Sequence, residues 1–505
     1  MKGGPAPRTA WVRVLFGQPR ELRVTMRKFR VGLLTFSDGR EYLHRAHLQM
    51  NLRYQSRVKT EIEATGEAEV FDGQAVVWDS ATARQEAQRL QQAGVDLVIF
   101  NYAIWCFPHL SAIAASLIRK PILLFSNLHP SEPGMVAMLA AAGTMDQLGF
   151  RHSRVWGDIG EKGTLKKVMI FIRAAASVSM LRGMTFGTFG GRPLGMYTAV
   201  ANLDQWQRDF GIDIEYNEQE DIVRYAGAVD QESVEKAQSW LEDLVGSIQY
   251  DGRALTPQKL QLAIRSYLAL RRLISERHLD FIGIKAHGDL TDRFVTMDLA
   301  EAFLNDPYDW NGPHEPIVAS TESDMDGGLT MQVMKHITRG QPVLFADVRH
   351  YDSGDDVWYF SNSGTHATYF AGKSMDPRDN LRRVTFYPEV PDYPAGGPSV
   401  HSFAAAGKVT LARLARREGA YWLAIVPGEI VEYDRESALA RGKTVTPQWP
   451  IAFTKIACSA DEFLSTFPCN HIHGVYGDIT DELQETAKVM GIESRLFGSR
   501  SKGAE

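Results

Sequence analysis

From Phe29 onward the apolar positions alternate between two rhythms. Short continuous apolar runs at 30–36, 68–71, 95–102 and 121–126 have the length and β-branched content of buried strands. Between them, 42–64, 81–93, 109–119 and 135–148 repeat their apolar residues at helical spacing. Strand and helix in strict alternation predict a doubly wound parallel sheet, assigned to residues 27–175. A second unit of the same kind is expected over 176–350. There 184–197 is a strand that opens into a glycine-rich turn, and 204–276 is mostly helical. Strands are predicted at 279–285, 316–320 and 342–347, with a helix at 327–338. From 351 to 505 short β-like runs, prolines and glycines dominate, closed by a helix at 481–490, which predicts a mostly antiparallel β domain. The expected fold class is therefore α/β: two Rossmann-like, doubly wound domains followed by a β-rich third. Residues 1–26 fit no such rhythm and are expected to form a disordered extension, with Met26 leading directly into the first strand.

Composition narrows the function. The chain has 505 residues, 44% hydrophobic and 23% charged, with 55 Lys+Arg against 61 Asp+Glu and a formal net charge of −6. That balance speaks against a dedicated nucleic-acid binder, which carries a basic stripe. No apolar run reaches the roughly 18 residues needed to span a bilayer, so no membrane role is expected. The three cysteines, Cys106, Cys458 and Cys469, form no CxxC pair, which excludes zinc ribbons and iron–sulfur clusters and suits a reducing cytoplasm.

Three segments could carry chemistry. GTFGGRPLG at 187–195 has neither the GxGxxG spacing of a dinucleotide site nor the Lys-Ser/Thr of a P-loop, so it reads as a tight strand-to-helix connection and no nucleotide cofactor is expected. STESDMDGG at 320–328 precedes VLFADVRHYD at 343–352, and Glu322 and Asp347 lie 25 residues apart, each at the end of a predicted buried strand. If those strands pair side by side in parallel, both carboxylates converge at the sheet edge where open α/β sheets bind ligands. Two like charges that close need a proton or a cation between them. The alternative is that both acids are solvated or cap helices. CNHIHGVYGD at 469–478 places His471 and His473 two apart, on one face if the segment is a strand, and imidazole with carboxylate suits Mn²⁺, Co²⁺, Fe²⁺ or Mg²⁺. His366, in SNSGTHAT, is a further imidazole candidate.

Taken in order, NYAIWCFP, GRPLGMY, IGIKAHGDLTD, STESDMDG, FADVRHYD, NSGTHAT, TPQWP and NHIHGVYGD resemble the L-fucose isomerase and L-arabinose isomerase superfamily over residues 28–495, closer to the fucose branch. The resemblance implies a metal-dependent aldose–ketose isomerase. Glu322 and Asp347 would be catalytic and, with His471, would hold Mn²⁺ (or Co²⁺ or Mg²⁺). Trp449 would line the pocket of a monosaccharide substrate, with Asn470, His366 and His473 among the sugar-facing residues. His287 stands where a glutamine is expected to contact the sugar, so the identity of the sugar stays open. Arg40 and Trp105 would reach the pocket of a neighbouring subunit in a homo-oligomer, a hexamer, with shared active sites. A non-catalytic sugar-binding protein and a metal-dependent hydrolase built on His471 and His473 are the competing readings.

Overall fold

The computed structural model describes residues 27–498; the extension expected at 1–26 lies outside the described residues. The first domain is a five-stranded, all-parallel sheet. Its strand order is Ala68–Asp72, Phe29–Phe36, Leu97–Tyr102, Ile122–Ser126, Ser153–Trp156. Leu97–Tyr102 and Ile122–Ser126 are buried along their whole length, as strands covered by helices on both faces must be. The edge strand Ser153–Trp156 escapes the apolar pattern because only Val155 is buried. The closing helix runs Lys162–Leu181, six residues beyond the expected boundary at 175.

The second sheet is also all-parallel, in the order Ala319–Thr321, Phe281–Ile284, Thr185–Phe189, Asp213–Asn217. Asp213–Asn217 interrupts the segment expected to be mostly helical, and as a polar edge strand it gave no apolar signal. After Thr321 the chain turns into helix Met325–Ile337, all 13 residues of which are buried. A helix buried all round lies between two layers; here it packs on the second sheet on one side and on strands of the third on the other.

The third sheet closes on itself. Leu344–Asp352, Val357–Ser361, Ile451–Ile456, Ala420–Ile430, Gly407–Arg417 and His471–Tyr476 pair antiparallel in that order, and the last pairs back onto the first. The ring leaves no open edge among these six strands. Glu493–Leu496 adds in parallel outside it. The long hairpin between Gly407–Arg417 and Ala420–Ile430 turns on Glu418-Gly419, both at positive φ, as a two-residue type I′ turn requires. Residues 385–401 leave the barrel. Their strands Thr385–Pro388 and Pro398–His401 join Ser247–Ile248 of the second domain in a small sheet.

One expectation fails here. The strand that carries Asp347 does not lie beside Ala319–Thr321 in a parallel sheet; it belongs to the barrel and runs antiparallel to both neighbours. The β–α–β rule presumes that the helix returns the chain to the same sheet. Helix Met325–Ile337 instead hands it across to the barrel on its other face.

Trp206 pins the second sheet to the barrel. Its fully buried ring meets Phe186 and Phe281, and its Nε1 donates to the Tyr421 hydroxyl at 2.8 Å. That hydroxyl in turn donates to Asp326 at 2.6 Å. Trp206→Ala is therefore expected to cost about 3–5 kcal/mol, the range for deleting a buried aromatic, read as a lowered urea midpoint.

Candidate metal and sugar site

Two barrel strands and one sheet edge build the site. Asp347 and His471 are register partners on adjacent antiparallel strands, so their Cβ atoms are held about 4.5–5.5 Å apart by the ladder itself. Glu322 arrives from the second sheet, just past Ala319–Thr321. Glu322 and Ser323 both adopt left-handed backbone, φ 53° and 46°. Two consecutive non-glycine residues in that region store strain that only a well-packed surrounding sustains. The turn is held by Ser323 N–H donating to the Ile284 carbonyl at 2.9 Å and Asp324 N–H to that of Thr321 at 3.1 Å.

The result is a triad. His471 Nε2 lies 3.4 Å from Glu322 Oε2 and 3.4 Å from Asp347 Oδ1. One donor atom from each of the three residues falls within 4.8 Å of the others. His471 Nε2 is buried and has no hydrogen-bond partner. Its other nitrogen, Nδ1, is engaged by Asp324 Oδ2 at 2.7 Å. An imidazole fixed on one side by a carboxylate and orphaned on the other, facing two more carboxylates, is the donor set of a divalent cation. The residues thus fit the expected metal.

Asp324, which sequence reasoning passed over, is fully buried and has three tasks. It caps helix Met325–Ile337 by accepting from Gly327 N–H at 2.9 Å. It orients His471. It also pairs with Arg413 through both carboxylate oxygens. Arg413, 1% exposed on strand Gly407–Arg417, further donates to the Thr198 carbonyl at 2.9 Å and to His473 Nε2 at 3.1 Å. A Cβ on Gly327 would sit 2.6 Å from the Asp324 carboxylate and 2.8 Å from the Arg413 guanidinium, so only glycine admits this pair. The motif ESDMDG held the signal: an acid three residues before a glycine at a helix start is an N-cap pattern.

Protonation follows from these neighbours. Burial would raise the Asp324 carboxyl, but Arg413 and His471 hold it far below the usual range. Burial alone would also raise Glu322, yet His287 and His471 outweigh it and bring Glu322 to about 2. Burial, reinforced by the Glu322 charge and opposed by His471, lifts Asp347 above its usual range. Burial disfavours the charged His471 ring, but with no cation bound Asp324 and then Glu322 raise it well above the usual range.

Of the remaining predicted residues, His287 lies beside the triad, its Nε2 3.7 Å from Glu322 Oε1. Asn470 Nδ2 donates to Asp347 Oδ1 at 3.1 Å, and Asn362, not foreseen, donates to Oδ2 at 2.8 Å. Trp449 stands in an aromatic line: its ring stacks on Tyr393 at 6.4 Å, and Tyr393 meets His287 at 5.3 Å. Arg349 lies over the outer face of Trp449 at 5.3 Å. The Trp449 Nε1 donates to Glu389 at 2.9 Å, and Glu389 contacts the buried Asp298 carboxyl. His473 shares the strand face of His471 but is engaged by Arg413, not by the triad. His366 is fully buried, its ring driven down to about 3 by burial, and is not part of the triad. Arg40 and Trp105 sit together at the carboxyl edge of the first sheet. Asp38 holds Arg40 at 2.7 and 2.9 Å, and Trp105 packs on that domain's core. Neither is bonded to the triad among the described residues.

Comparisons with known proteins identify the family. Three family models match: the L-fucose isomerase first N-terminal domain over residues 28–183, the second N-terminal domain over 278–339 and the C-terminal domain over 360–496. The chain belongs to the L-fucose isomerase family. It is an isomerase, of the intramolecular-oxidoreductase class. An L-fucose isomerase of Bacteroides thetaiotaomicron is 24% identical, covering 80% of this chain and 81% of that protein. One from Bacteroides fragilis is 23% identical over 92% and 93%. One from Haemophilus influenzae is 26% identical over 70% and 68%.

Two outcomes test the buried support. Asp324→Asn should weaken divalent-metal binding about 10–100-fold by calorimetry, the effect of losing a carboxylate behind a ligating histidine. Arg413→Met should destabilise the fold by about 3–5 kcal/mol in a urea titration, since it strands the Asp324 charge.

Proposed function

We propose that the enzyme interconverts an aldose and its 2-ketose by moving a proton between C2 and C1 through an enediol, at the site built by Glu322, Asp347 and His471. The observation that carries this reading is the pairing of Asp347 with His471 across one ladder, with Glu322 closing the triangle around a buried, partnerless Nε2. A divalent cation such as Mn²⁺, held by these three residues, would polarise the sugar's O1 and O2 and stabilise the negative charge that develops there.

The side chains supply the rest. A carboxylate and a carboxylic acid are both needed, and groups whose surroundings push their protonation apart are suited to those two roles. Glu322 is held ionised by two histidines, while Asp347 is raised by burial. In the aldose-to-ketose direction one of these two carboxyl groups takes the C2 proton and a carboxylic acid returns one at C1, with Asp347 kept in place by Asn362 and Asn470. His287 beside Glu322 and the Tyr393–Trp449 line give the sugar a wall with aromatic faces and polar tips. L-Fucose, the sugar in the relatives' names, is the first aldose to assay.

In this proposal the protein is a cytoplasmic homo-oligomer, a hexamer, and Arg40 and Trp105 complete a neighbour's pocket. The support is their shared position on a sheet edge that belongs to a different domain from the triad. Complementation tests it: refolded mixtures of Trp105→Ala and Glu322→Gln subunits should regain activity that neither homo-oligomer has. No recovery, with mixed oligomers verified by mass, places Trp105 outside the neighbour's pocket.

Metal and proton transfer have their own tests. Chelation with EDTA should abolish turnover, and Mn²⁺ or Co²⁺ should restore it; full activity without metal overturns the metal reading. Glu322→Gln and Asp347→Asn should each lower the rate at least about 100-fold with the fold intact. Turnover in D₂O should place deuterium at C1 of the ketose, whereas complete retention of the C2 hydrogen indicates hydride shift.

A further inference from the structure

A second cavity, of about 740 Å³, lies at the amino edge of the first sheet, the edge opposite Arg40 and Trp105. Its walls come from the segments that enter strands Ile122–Ser126 and Ser153–Trp156, from the end of helix Lys162–Leu181, and from helix Thr480–Met490. Six cations line it, Arg119, Lys120, Arg151, Arg154, Arg182 and Lys488, against the single acid Asp146. In a chain with a net charge of −6 this is a local reversal of sign.

Half of that charge is already engaged. Arg151 donates to the Met490 carbonyl at 3.0 Å, Arg154 to Asp146 at 2.8 Å, and Lys488 to Glu485 at 2.9 Å. The side chains of Arg119, Lys120 and Arg182 have no hydrogen bond or ion pair among the described residues. Part of this excess answers the carbonyl ends of helices Pro108–Ile118 and Lys162–Leu181, where cations are favoured. Yet the side chains of Arg119, Lys120 and Arg182 bond none of those carbonyls; only the Arg119 and Arg182 backbone amides do, to Ala115 at 3.2 Å and Ser179 at 3.3 Å. Lys120 is half-buried, and burial, with Arg182 nearby and Asp96 pulling the other way, holds its ammonium below the usual range. The floor is apolar, formed by Ile122, Phe171 and Val489. A concave site of this volume suits a small ligand, and convergent guanidinium groups suit phosphate oxygens.

We propose that this cavity binds a small molecule carrying a diphosphate group, with Arg119, Lys120 and Arg182 as the phosphate-binding residues. The apolar floor takes the organic remainder. The ligand would bridge the first domain and helix Thr480–Met490, which follows directly on the strand of His471. Binding at that joint should stabilise the folded chain by simple linkage.

Isothermal titration calorimetry of the full-length enzyme with inorganic pyrophosphate tests this without reference to isomerase activity. Saturable binding is expected at low salt, weakening as salt screens the charges. The Arg119→Ala/Arg182→Ala double variant should bind at least about tenfold more weakly, and Lys120→Met likewise. Isomerisation by these variants, whose substitutions lie on the far edge of the first sheet, should match that of the parent, and their circular dichroism should be unchanged. Absence of binding in the parent, or binding that all variants retain undiminished, overturns the proposal.

Discussion

A buried negative charge organises the half of this molecule that carries Glu322, Asp347 and His471. Asp324 lies where no water reaches it, and a bare carboxylate there would cost several kcal/mol. Arg413 answers it from the barrel, the Gly327 amide from the helix start, and His471 from the adjacent strand. Each of those partners is thereby fixed. The helix is anchored at its first turn, the barrel is tied to the second sheet, and the imidazole is pointed at Glu322 and Asp347. Removing one member leaves the others buried without compensation, so the arrangement is all-or-none. The glycine at 327 is part of the same constraint, because a methyl group there would displace both charges.

The consequence is a site assembled from two sheets that need not otherwise have met. Asp347 and His471 are opposed by strand register alone. Glu322 belongs to a parallel sheet and reaches the others only because two left-handed residues turn the chain back at its end. The strain of that turn is balanced by the bonds from Ser323 and Asp324 and by the wholly buried helix behind it. Precision in the triad thus comes from rigid elements, and Tyr393 beside it is hung on the small sheet that carries residues 385–401 back to the second domain.

This division explains what the sequence revealed. Buried strands such as Leu97–Tyr102 declare themselves by unbroken apolar runs, and the three-domain α/β order with a β-rich end was legible from them. Ser153–Trp156 and Asp213–Asn217 were not, because edge strands expose most of their residues. The two carboxylates and the histidine were readable as chemistry, by residue type near strand ends. Their relative placement was not, since spacing of 25 residues cannot say whether a buried helix returns to its own sheet or crosses to another. Asp324 and Arg413 were missed for a related reason: 89 residues separate them, and neither stands in a motif that announces its partner. Tyr393 and Glu389 lie in a proline- and glycine-rich stretch whose return to the site only the tertiary fold reveals.

The wall near the triad repeats the logic of its centre on a smaller scale. Asp298 and Glu389 bury two carboxyls side by side, and burial and then the Glu389 charge raise Asp298 far above the usual range. Glu389 also accepts from the Trp449 indole and from the Val390 amide at 2.8 Å. Gly364, at φ 66°, lies so close that a Cβ would fall 2.1 Å from the Asp298 Cα. An indole bonded to such a pair cannot swing, and Tyr393 stacked against it is steadied in turn. In the proposed sugar site, rigid aromatic faces beside a fixed pair of carboxyl groups would lower the entropy lost when a flexible sugar is brought into line. The buried acids that cost stability therefore serve the same end: each converts a side chain near the triad into part of the frame.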